Sequence, residues 1–352
     1  MQPNDTSPIR IAGLDILRAL AIVCVIGGHW QLNTDFKQTP FDNPMMFVMG
    51  MLLSFAFIGV PLFLMLTGYL NINKTTPDKK YYKGIWRVLI AYAFFSVVTI
   101  LFRKYYLGHD KSTFQWIHSI LSFEAIPYAW YIEMWIGLFL LTHFLNKLWH
   151  AIENKRQRQI LIGVLFACTS LPDFTNRYGM HLLPEYWMKA AYPLLCFFIG
   201  TYLRTYQPTF KKIYLIGIIT ALCMFNPITS VLFAPGQPMA YLGGSPNGII
   251  TIPIAVCTFL LFYKSNIANK PIKSLTTKIS LLTLNMYLCA YLFVHLIYPI
   301  WKENIGDLQS ELVPLYIPII LSLLIGTFIM LDVMIFVLIY TKQQRQKFLI
   351  IR

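Results

Sequence analysis

Long apolar runs separated by short polar segments are the dominant pattern of this sequence. Each run is about 20 residues long, the length of α-helix that crosses the hydrocarbon core of a membrane. The pattern therefore predicts an all-α fold, a polytopic membrane helix bundle with about ten transmembrane helices. The fifth run is short and the second and tenth are long, so we expect tilted or irregular helices there. The runs cover residues 11–31, 46–70, 85–107, 129–149, 158–172, 187–205, 212–233, 247–264, 277–300 and 313–341.

The segments between the runs indicate a single domain. No linker or low-complexity tract interrupts them, so we expect one transmembrane domain at residues 10–341, with cytoplasmic tails at 1–9 and 342–352. The segment 114–121 is amphipathic and too short to span a membrane, which predicts an interfacial helix. The loop at 234–246 is uncharged and rich in Gly and Pro, and we expect it to dip towards the bundle.

Composition and charge agree with a membrane protein and argue against a nucleic-acid binder. Apolar residues make up 57% and charged residues 12% of the 352 positions, against roughly 45–50% and 25% in soluble domains. The net charge is +14, but 21 of the 29 Lys and Arg residues lie on the side of the N-terminus and only 7 in the alternate loops. This bias predicts that both termini are cytoplasmic. The first run has no cleavage pattern, so we expect it to be retained.

Asp15, Arg18 and His29 are ionisable residues inside the first apolar run. At 100° per residue, Arg18 and His29 differ by only about 20° in azimuth and lie about 16 Å apart along the helix axis. Asp15 shares this stripe and lies within reach of Arg18. A charge at mid-membrane costs at least ~2.5–3.5 kcal/mol, so we expect the stripe to face the bundle interior or a wet cavity. There His29 could remove a proton from an alcohol. The alternatives are that Arg18 only neutralises Asp15, and that His29 is an interfacial residue beside Trp30.

Other polar residues in the runs are weaker candidates. We interpret Glu133 as orienting His29 or as part of acceptor binding, the alternative being an ion pair or a hydroxyl partner inside the membrane. Asn285 and Asp332 are also intramembrane polar groups. Each of the six cysteines lies in a different run, which favours packing roles over a zinc site or disulfides. His295 is expected to line the interior, and the remaining histidines are expected to be solvated: His109, His118, His143, His150 and His181.

A basic segment precedes the third run. One interpretation is that its charges only fix orientation by the positive-inside rule. As a group, however, Lys80, Lys83 and Arg87 lie where a helix enters the membrane, interleaved with aromatic residues. Such a cluster can bind the phosphates and adenine of a cytosolic nucleotide-bearing donor.

Several segments form an ordered set of motifs. The first run contains Leu14-Asp15-Ile16-Leu17-Arg18 and then His29, and the second contains GVPLFLMLTGYL at Gly59–Leu70. They are followed by AWYIEMWIGLFLLT at Ala129–Thr142, PLLCFFIGTYL at Pro193–Leu203 and LNMYL at Leu284–Leu288. In this order the segments resemble those of the acyltransferase 3 family of multi-pass membrane acyltransferases, and within it the surface-polysaccharide O-acetyltransferase branch.

The resemblance implies acyl-CoA as the cosubstrate and a sugar hydroxyl as the acceptor. We expect no bound cofactor or metal. The resemblance also implies that His29 is the essential catalytic residue and that Arg18 is required. We place Arg18, Lys80, Lys83 and Arg87 in donor binding, and the following residues at the acceptor or along the pore: Trp130, Tyr131, Asn285 and Tyr287. The chain departs from the family pattern at Gly84, Tyr128 and Ala290. These departures affect positions where the family pattern implies contacts with the acceptor and binding of the donor.

We therefore predict an O-acyltransferase of the inner (cytoplasmic) membrane, in the first instance an O-acetyltransferase using acetyl-CoA. Its expected partners are the acyl-CoA donor, a surface glycan or lipid-linked sugar acceptor, and membrane lipid. His29 would act as general base, with Asp15 and Glu133 setting the electrostatics, or would form a covalent acyl-His intermediate. One alternative is a transporter or flippase for a lipid-linked sugar with an intramembrane proton relay, although no internal repeat favours it. Another is a catalytically inactive member that only binds or senses.

Overall fold

The computed structural model describes residues 11–176, 181–239 and 245–305, together with 321, 324–326 and 328. Asp332 and most of the tenth predicted run lie outside the described residues. Within the described part the fold is all-helical. Following the predicted orientation, we call the Asp15 end of the first helix inner and the His29 end outer.

The predicted apolar runs that fall in the described part coincide with helices. Five segments are long and apolar enough to span a membrane, at Ala12–Leu32, Pro44–Asn71, Tyr81–Tyr105, Lys212–Phe233 and Lys270–Ile300. The all-α membrane fold is thus confirmed, whereas the count of about ten crossings and the orientation stay predictions. The helices are α1 Ala12–Leu32, α2 Pro44–Ala56, α3 Gly59–Asn71, α4 Lys79–Tyr105, α5 Thr113–Leu121, α6 Trp130–Ala151, α7 Lys155–Thr169, α8 Leu171–Thr175, α9 Met188–Tyr206, α10 Lys212–Phe233, α11 Thr251–Phe262 and α12 Lys270–Ile305.

The second predicted run is two helices rather than one, because α2 ends at Ala56 and α3 starts at Gly59. Pro61 has no N–H to donate to the carbonyl of Phe57, and its ring crowds the preceding turn, so a continuous helix is disfavoured there. Pro61 is tolerated in the first turn of α3 because N–H groups in that turn have no helical acceptor. The interruption brings Gly59 against the backbone of α1, where an added Cβ would lie 2.8 Å from the Ala21 carbonyl oxygen.

Helix α1 lies at the centre of the bundle and packs against α12, α3 and α2. On its far side α3 packs closely against α9. At the closest approach, a Cβ added to Gly68 would collide with the backbone carbonyl of Phe197, and one added to Gly200 with that of Met65. Small residues at such positions let two membrane helices approach backbone to backbone. This contact holds α3 in place between α1 and α9.

The outer connections fold back over the helices. Phe41 donates its backbone N–H to the carbonyl of Gln237 at 2.9 Å, and Met239 is buried against Gly50 of α2. The prediction that the 234–246 loop dips towards the bundle is confirmed at Met239, whereas residues 235–238 are exposed and residues 240–244 lie outside the described chain. Helix α5 has exposed apolar side chains such as Phe114, as expected of an interfacial helix.

Candidate active site

The inner end of α1 carries a buried ion pair. Arg18 Nη1 lies 3.1 Å from Asp15 Oδ1, and the side chains are 27% and 3% exposed respectively. From α12, the Ser280 hydroxyl donates a 2.7 Å hydrogen bond to Asp15, and the Thr277 hydroxyl lies 3.4 Å from the other carboxylate oxygen. We call these four residues the inner polar cluster. A guanidinium has five N–H donors, so Arg18 can contact more than one acceptor at the same time.

At the outer end of α1, the His29 imidazole stacks on Tyr128, with ring centroids 3.7 Å apart and planes 15° apart. Asn33 connects the two residues, because its Nδ2 donates to the His29 carbonyl at 2.7 Å and to the Tyr128 hydroxyl at 2.5 Å. Burial raises the pKa of the Tyr128 phenol, so this hydroxyl stays neutral. We call His29, Asn33 and Tyr128 the outer stack. Tyr128, one of the departures from the family pattern, thus orients the plane of the imidazole.

The outer stack continues to α12 through aromatic contacts. The Tyr291 ring meets the Tyr128 ring edge-on at 5.7 Å, and the His295 ring lies 4.1 Å from that of Tyr291. His295 Nδ1 donates to the Tyr291 carbonyl at 3.0 Å. His295 is partly buried, in agreement with its predicted interior position. Two tyrosine rings therefore connect His29 on α1 with His295 on α12.

A cavity of about 170 Å³, here called the central cavity, lies between the inner polar cluster and the outer stack. Val25 lines it from α1, and the helical rise places Val25 about 10 Å beyond Arg18 and about 6 Å before His29 along the axis. The cavity thus occupies the interval between the two groups of polar residues. The other lining residues are Val60, Phe63, Val88, Tyr131, Ile132, Trp135, Thr283, Leu284 and Tyr287.

The residues predicted at the acceptor or along the pore occupy different places. Tyr131 and Tyr287 line the central cavity with ring centroids 5.6 Å apart, and the Tyr287 hydroxyl donates to the Tyr128 backbone carbonyl. Trp130 is 40% exposed and faces the outside of α6. Asn285 is partly buried but is not among the residues that line the central cavity. Of these four residues, only Tyr131 and Tyr287 line the central cavity.

Glu133 lies on the exposed side of α6 and lines two grooves there. It follows Tyr131 by two residues, which is about 200° around the helix, so it faces away from the cavity that Tyr131 lines. Within the described part of the chain, Glu133 makes no hydrogen bond or ion pair with His29. The structure therefore does not bring Glu133 to the imidazole that it was predicted to orient, and a role in acceptor binding stays a prediction.

The predicted donor cluster lies at the start of α4. Asp78 caps this helix by accepting from the Tyr81 N–H, and Lys83 and Arg87 are exposed on its first turns. Lys80 belongs to the same helix, but its side chain lies outside the described part. Val88, next to Arg87, lines the central cavity. Helix α4 therefore connects the basic residues with the cavity, and its N-terminal partial charge adds to theirs.

Three α6 side chains that the sequence did not single out hold the connection between α3 and α4. Asn146 donates to two backbone carbonyls at 2.6 and 2.9 Å, and His143 and His150 approach one each at 3.0 and 3.1 Å, all within residues 71–74. We call this set the carbonyl clamp. The expectation that His143 is solvated is wrong, since it is 1% exposed. The spacing of residues 143, 146 and 150 places all three on one helix face, and this pattern could have predicted the set from the sequence.

A family model described as an acyltransferase domain, Acyl_transf_3, matches residues 11–335, which is almost the whole chain. The matched range includes the inner polar cluster, the outer stack, the basic residues of α4 and the carbonyl clamp. Neither the curated proteins nor the solved structures provide a match.

Proposed function

Since the chain belongs to the acyltransferase 3 family, we propose that this membrane acyltransferase moves an acetyl group from acetyl-CoA to a hydroxyl of a cell-envelope glycan or its lipid-linked precursor. The observation that carries the proposal is the central cavity, which lies along α1 between the levels of Arg18 and His29, although neither is among its lining residues. A thioester arm reaching in from the inner side would pass the guanidinium and present its carbonyl below the imidazole. The enzyme would work in the inner membrane, with acetyl-CoA as cosubstrate.

In the proposed reaction His29 acts as general base. The acceptor oxygen attacks the thioester carbonyl, its proton passes to the imidazole, and the C–S bond breaks to give the ester and CoA thiolate, which takes up the proton. General base assistance of this kind contributes typically 10²–10⁴ in rate. An acyl-His intermediate is the second route: the imidazole attacks the thioester, the C–S bond breaks to release CoA, and the acceptor hydroxyl then attacks the acetyl-imidazole, giving the ester and free His29. In both routes Tyr128 holds the ring by stacking and Asn33 holds the tyrosine.

The lining of the central cavity supports acetyl over a charged acyl group such as succinyl. In the described part of the chain the lining residues are apolar or carry hydroxyl groups, and none is charged. A succinyl carboxylate buried there would lack a cationic partner, which is costly in a low-dielectric site. Val25, Val60 and Val88 narrow the cavity from three helices and favour a short acyl chain.

Donor binding is proposed to begin at the basic start of α4. Lys83 and Arg87 are exposed and can pair with the CoA phosphates, with Lys80 assigned to the same group from the sequence. Arg18 would bind the donor farther along, where its planar guanidinium can contact the thioester arm or carbonyl. The carbonyl clamp fixes the connection that leads into α4, and so supports the position of the basic residues.

The direct test is acyl transfer by the purified protein in proteoliposomes. Radiolabelled acetyl-CoA is supplied on the basic side and envelope glycans or lipid-linked saccharides on the other, and label in the glycan is measured. We expect label transfer by the wild type and none by His29→Ala. Glycan movement across the membrane without acyl transfer would reject this proposal in favour of the transporter alternative. Mass spectrometry of envelope glycans with and without the gene would identify the acyl group and the acceptor.

A further inference from the structure

Two neighbouring grooves on the exposed side of α6 share the lining residues Trp130 and Glu133. The first, here called the lateral groove, lies between α6 and α9 and has a volume of about 410 Å³. Trp130, Glu133, Gly137 and Leu141 line it at intervals of three or four residues, so it follows one face of α6 for about 16 Å. Apart from Glu133, Lys189 near the outer end is its only charged lining residue in the described part. The rest of the lining is apolar.

The second groove, here called the outer basin, has a volume of about 490 Å³ and is polar. Arg103 and Lys111 line it, and both cations lie over the ring of Trp116, at 5.5 and 5.3 Å from the centroid. Arg103 also donates to the carbonyl of Ala125 at 3.3 Å. Cation–π contacts and the hydrogen bond hold the two charges in defined positions. The basin therefore offers two oriented cations to an anionic group.

The outer basin adjoins the outer stack. Pro127 and Trp130 line the basin, and Tyr128, which lies between them in the chain, stacks on His29. One short segment of backbone thus forms the wall of the basin and the support of the imidazole. A sugar in the basin would lie beside the proposed catalytic base.

We propose that the two grooves together bind one amphiphile, a saccharide joined through phosphate to a long apolar chain. The chain lies in the lateral groove, the phosphate pairs with Arg103 and Lys111, and the sugar packs on the exposed ring of Trp130. With Lys189, three cations face the two carboxylates Glu124 and Glu133, so the lining favours an anion while the carboxylates can accept from sugar hydroxyls. The proposal rests on the proposed acyl transfer and names its acceptor as lipid-anchored.

The lateral groove distinguishes this acceptor from a free glycan. A free glycan is hydrophilic throughout and would use the outer basin alone, because the wall formed by Gly137, Leu141 and Leu194 offers it no hydrogen bonds. In the predicted membrane orientation this wall faces the bilayer, so an apolar chain can lie along it without leaving the hydrocarbon while the polar head is held at the basin. The combination of an apolar groove with a cationic end therefore fits an amphiphile.

The test uses polyprenyl phosphate as the probe and full-length protein in nanodiscs. A Cβ added at Gly137 meets nothing within 4 Å, so Gly137→Leu fills the groove without a clash. We expect Gly137→Leu, and separately the pair Arg103→Gln and Lys111→Gln, to weaken probe binding by about tenfold or more. Gly163→Leu is the matched control, because Gly163 is equally open but lines a different groove on α7. We expect it to bind the probe as the wild type does.

Acyl transfer is then measured with a lipid-linked saccharide and with the same saccharide released from its lipid. We expect the wild type to prefer the lipid-linked form by about tenfold or more. Gly137→Leu should lose this preference but still acylate the released saccharide as the wild type does. Equal transfer to both forms would overturn the proposal, as would displacement of the probe by phosphatidylglycerol at similar concentrations. Specific probe binding without transfer to either form would support the site but reject the proposed acyl transfer.

Discussion

The inner polar cluster and the outer stack are built around residues of one stripe of α1, but they stabilise their polar groups in different ways. At the inner end, the Arg18 guanidinium pairs with the Asp15 carboxylate, and the Ser280 hydroxyl of α12 donates a hydrogen bond to that carboxylate. At the outer end, His29 is held by ring stacking on Tyr128, and no carboxylate pairs with it in the described part of the chain. The inner polar cluster stabilises charged groups, whereas in the outer stack the ring of Tyr128 fixes the orientation of the His29 imidazole.

This difference assigns separate tasks to the two ends. A charge-balanced cluster binds an anionic or carbonyl group in both the ground state and the transition state. An imidazole held by stacking, by contrast, is available for proton transfer from a neighbouring hydroxyl. Variants at the two ends should therefore change different kinetic constants, which allows the comparison to be tested.

The largest effect is expected from His29→Ala. Loss of the base should lower kcat by about 10²–10⁴, while donor affinity stays close to that of the wild type because the inner cluster is intact. Acetyl transfer and CoA binding by calorimetry measure the two quantities. His118→Ala, at an exposed position on α5, is the matched control and should retain activity. Near-normal transfer by well-folded His29→Ala protein would remove His29 from the chemistry.

Substitutions of Arg18 test the role assigned to the inner polar cluster. Arg18→Ala should lower kcat/KM by about tenfold to a hundredfold, the equivalent of one or two lost hydrogen bonds to a charged group. Arg18→Lys should recover only part of it, since a point ammonium does not replace a planar fork. If Arg18 served only to neutralise Asp15, the double variant Asp15→Asn, Arg18→Gln would restore activity. We expect it to remain impaired.

Substitutions at the basic start of α4 test whether its charged residues bind the donor. Lys83→Gln with Arg87→Gln should raise the KM for acetyl-CoA by about tenfold or more and leave kcat almost unchanged, because these contacts persist from bound substrate to transition state. Lys147→Gln with Arg156→Gln removes two other exposed inner charges and is the control. Cysteine accessibility verifies the orientation of each variant. Unchanged CoA affinity in correctly oriented protein would leave these charges only a topological role.

The smallest effect is expected at the carbonyl clamp, where substitutions can imitate either nitrogen of a histidine. His143 uses Nδ1, so His143→Asn can keep the hydrogen bond to residue 74 while His143→Gln places its amide differently. His150 uses Nε2, so here Gln should be the conservative replacement and Asn the disruptive one. We expect the disruptive variants to raise donor KM a few-fold, about 1 kcal/mol, at unchanged kcat. An equal loss of thermal stability in all four variants, with normal KM, would indicate a purely structural clamp.

Most of the fold could be predicted from the apolar runs, because a membrane helix must satisfy its backbone internally and its length follows from the thickness of the bilayer. The break between α2 and α3 was missed although Pro61 is visible in the sequence. In an apolar run the length dominates the interpretation, and the local effect of a proline on the preceding turn is easily overlooked. Helical periodicity also identified the stripe of Asp15, Arg18 and His29 on α1.

The partners across the bundle could not be predicted, because azimuth on one helix says nothing about which helix it faces. Tyr128 was noted only as a departure from the family pattern, and its stacking on His29 depends on how α6 approaches α1. Glu133 attracted attention as a carboxylate in an apolar run, yet it is exposed and Tyr131, two residues earlier, lines the cavity. Ser280 and Thr277 carry no charge and were therefore overlooked as partners of Asp15.

The close packing of α3 against α9 at Gly68 and Gly200 also has a consequence for biosynthesis. The two glycines are 132 positions apart in the chain, so α3 leaves the ribosome long before α9 is made. Until α9 is made, the Phe197 backbone that packs against Gly68 is absent, so this contact cannot form. Docking of α9 is therefore a late step of cotranslational assembly, and we expect a larger side chain at either glycine to impair this docking rather than the earlier insertion of α3.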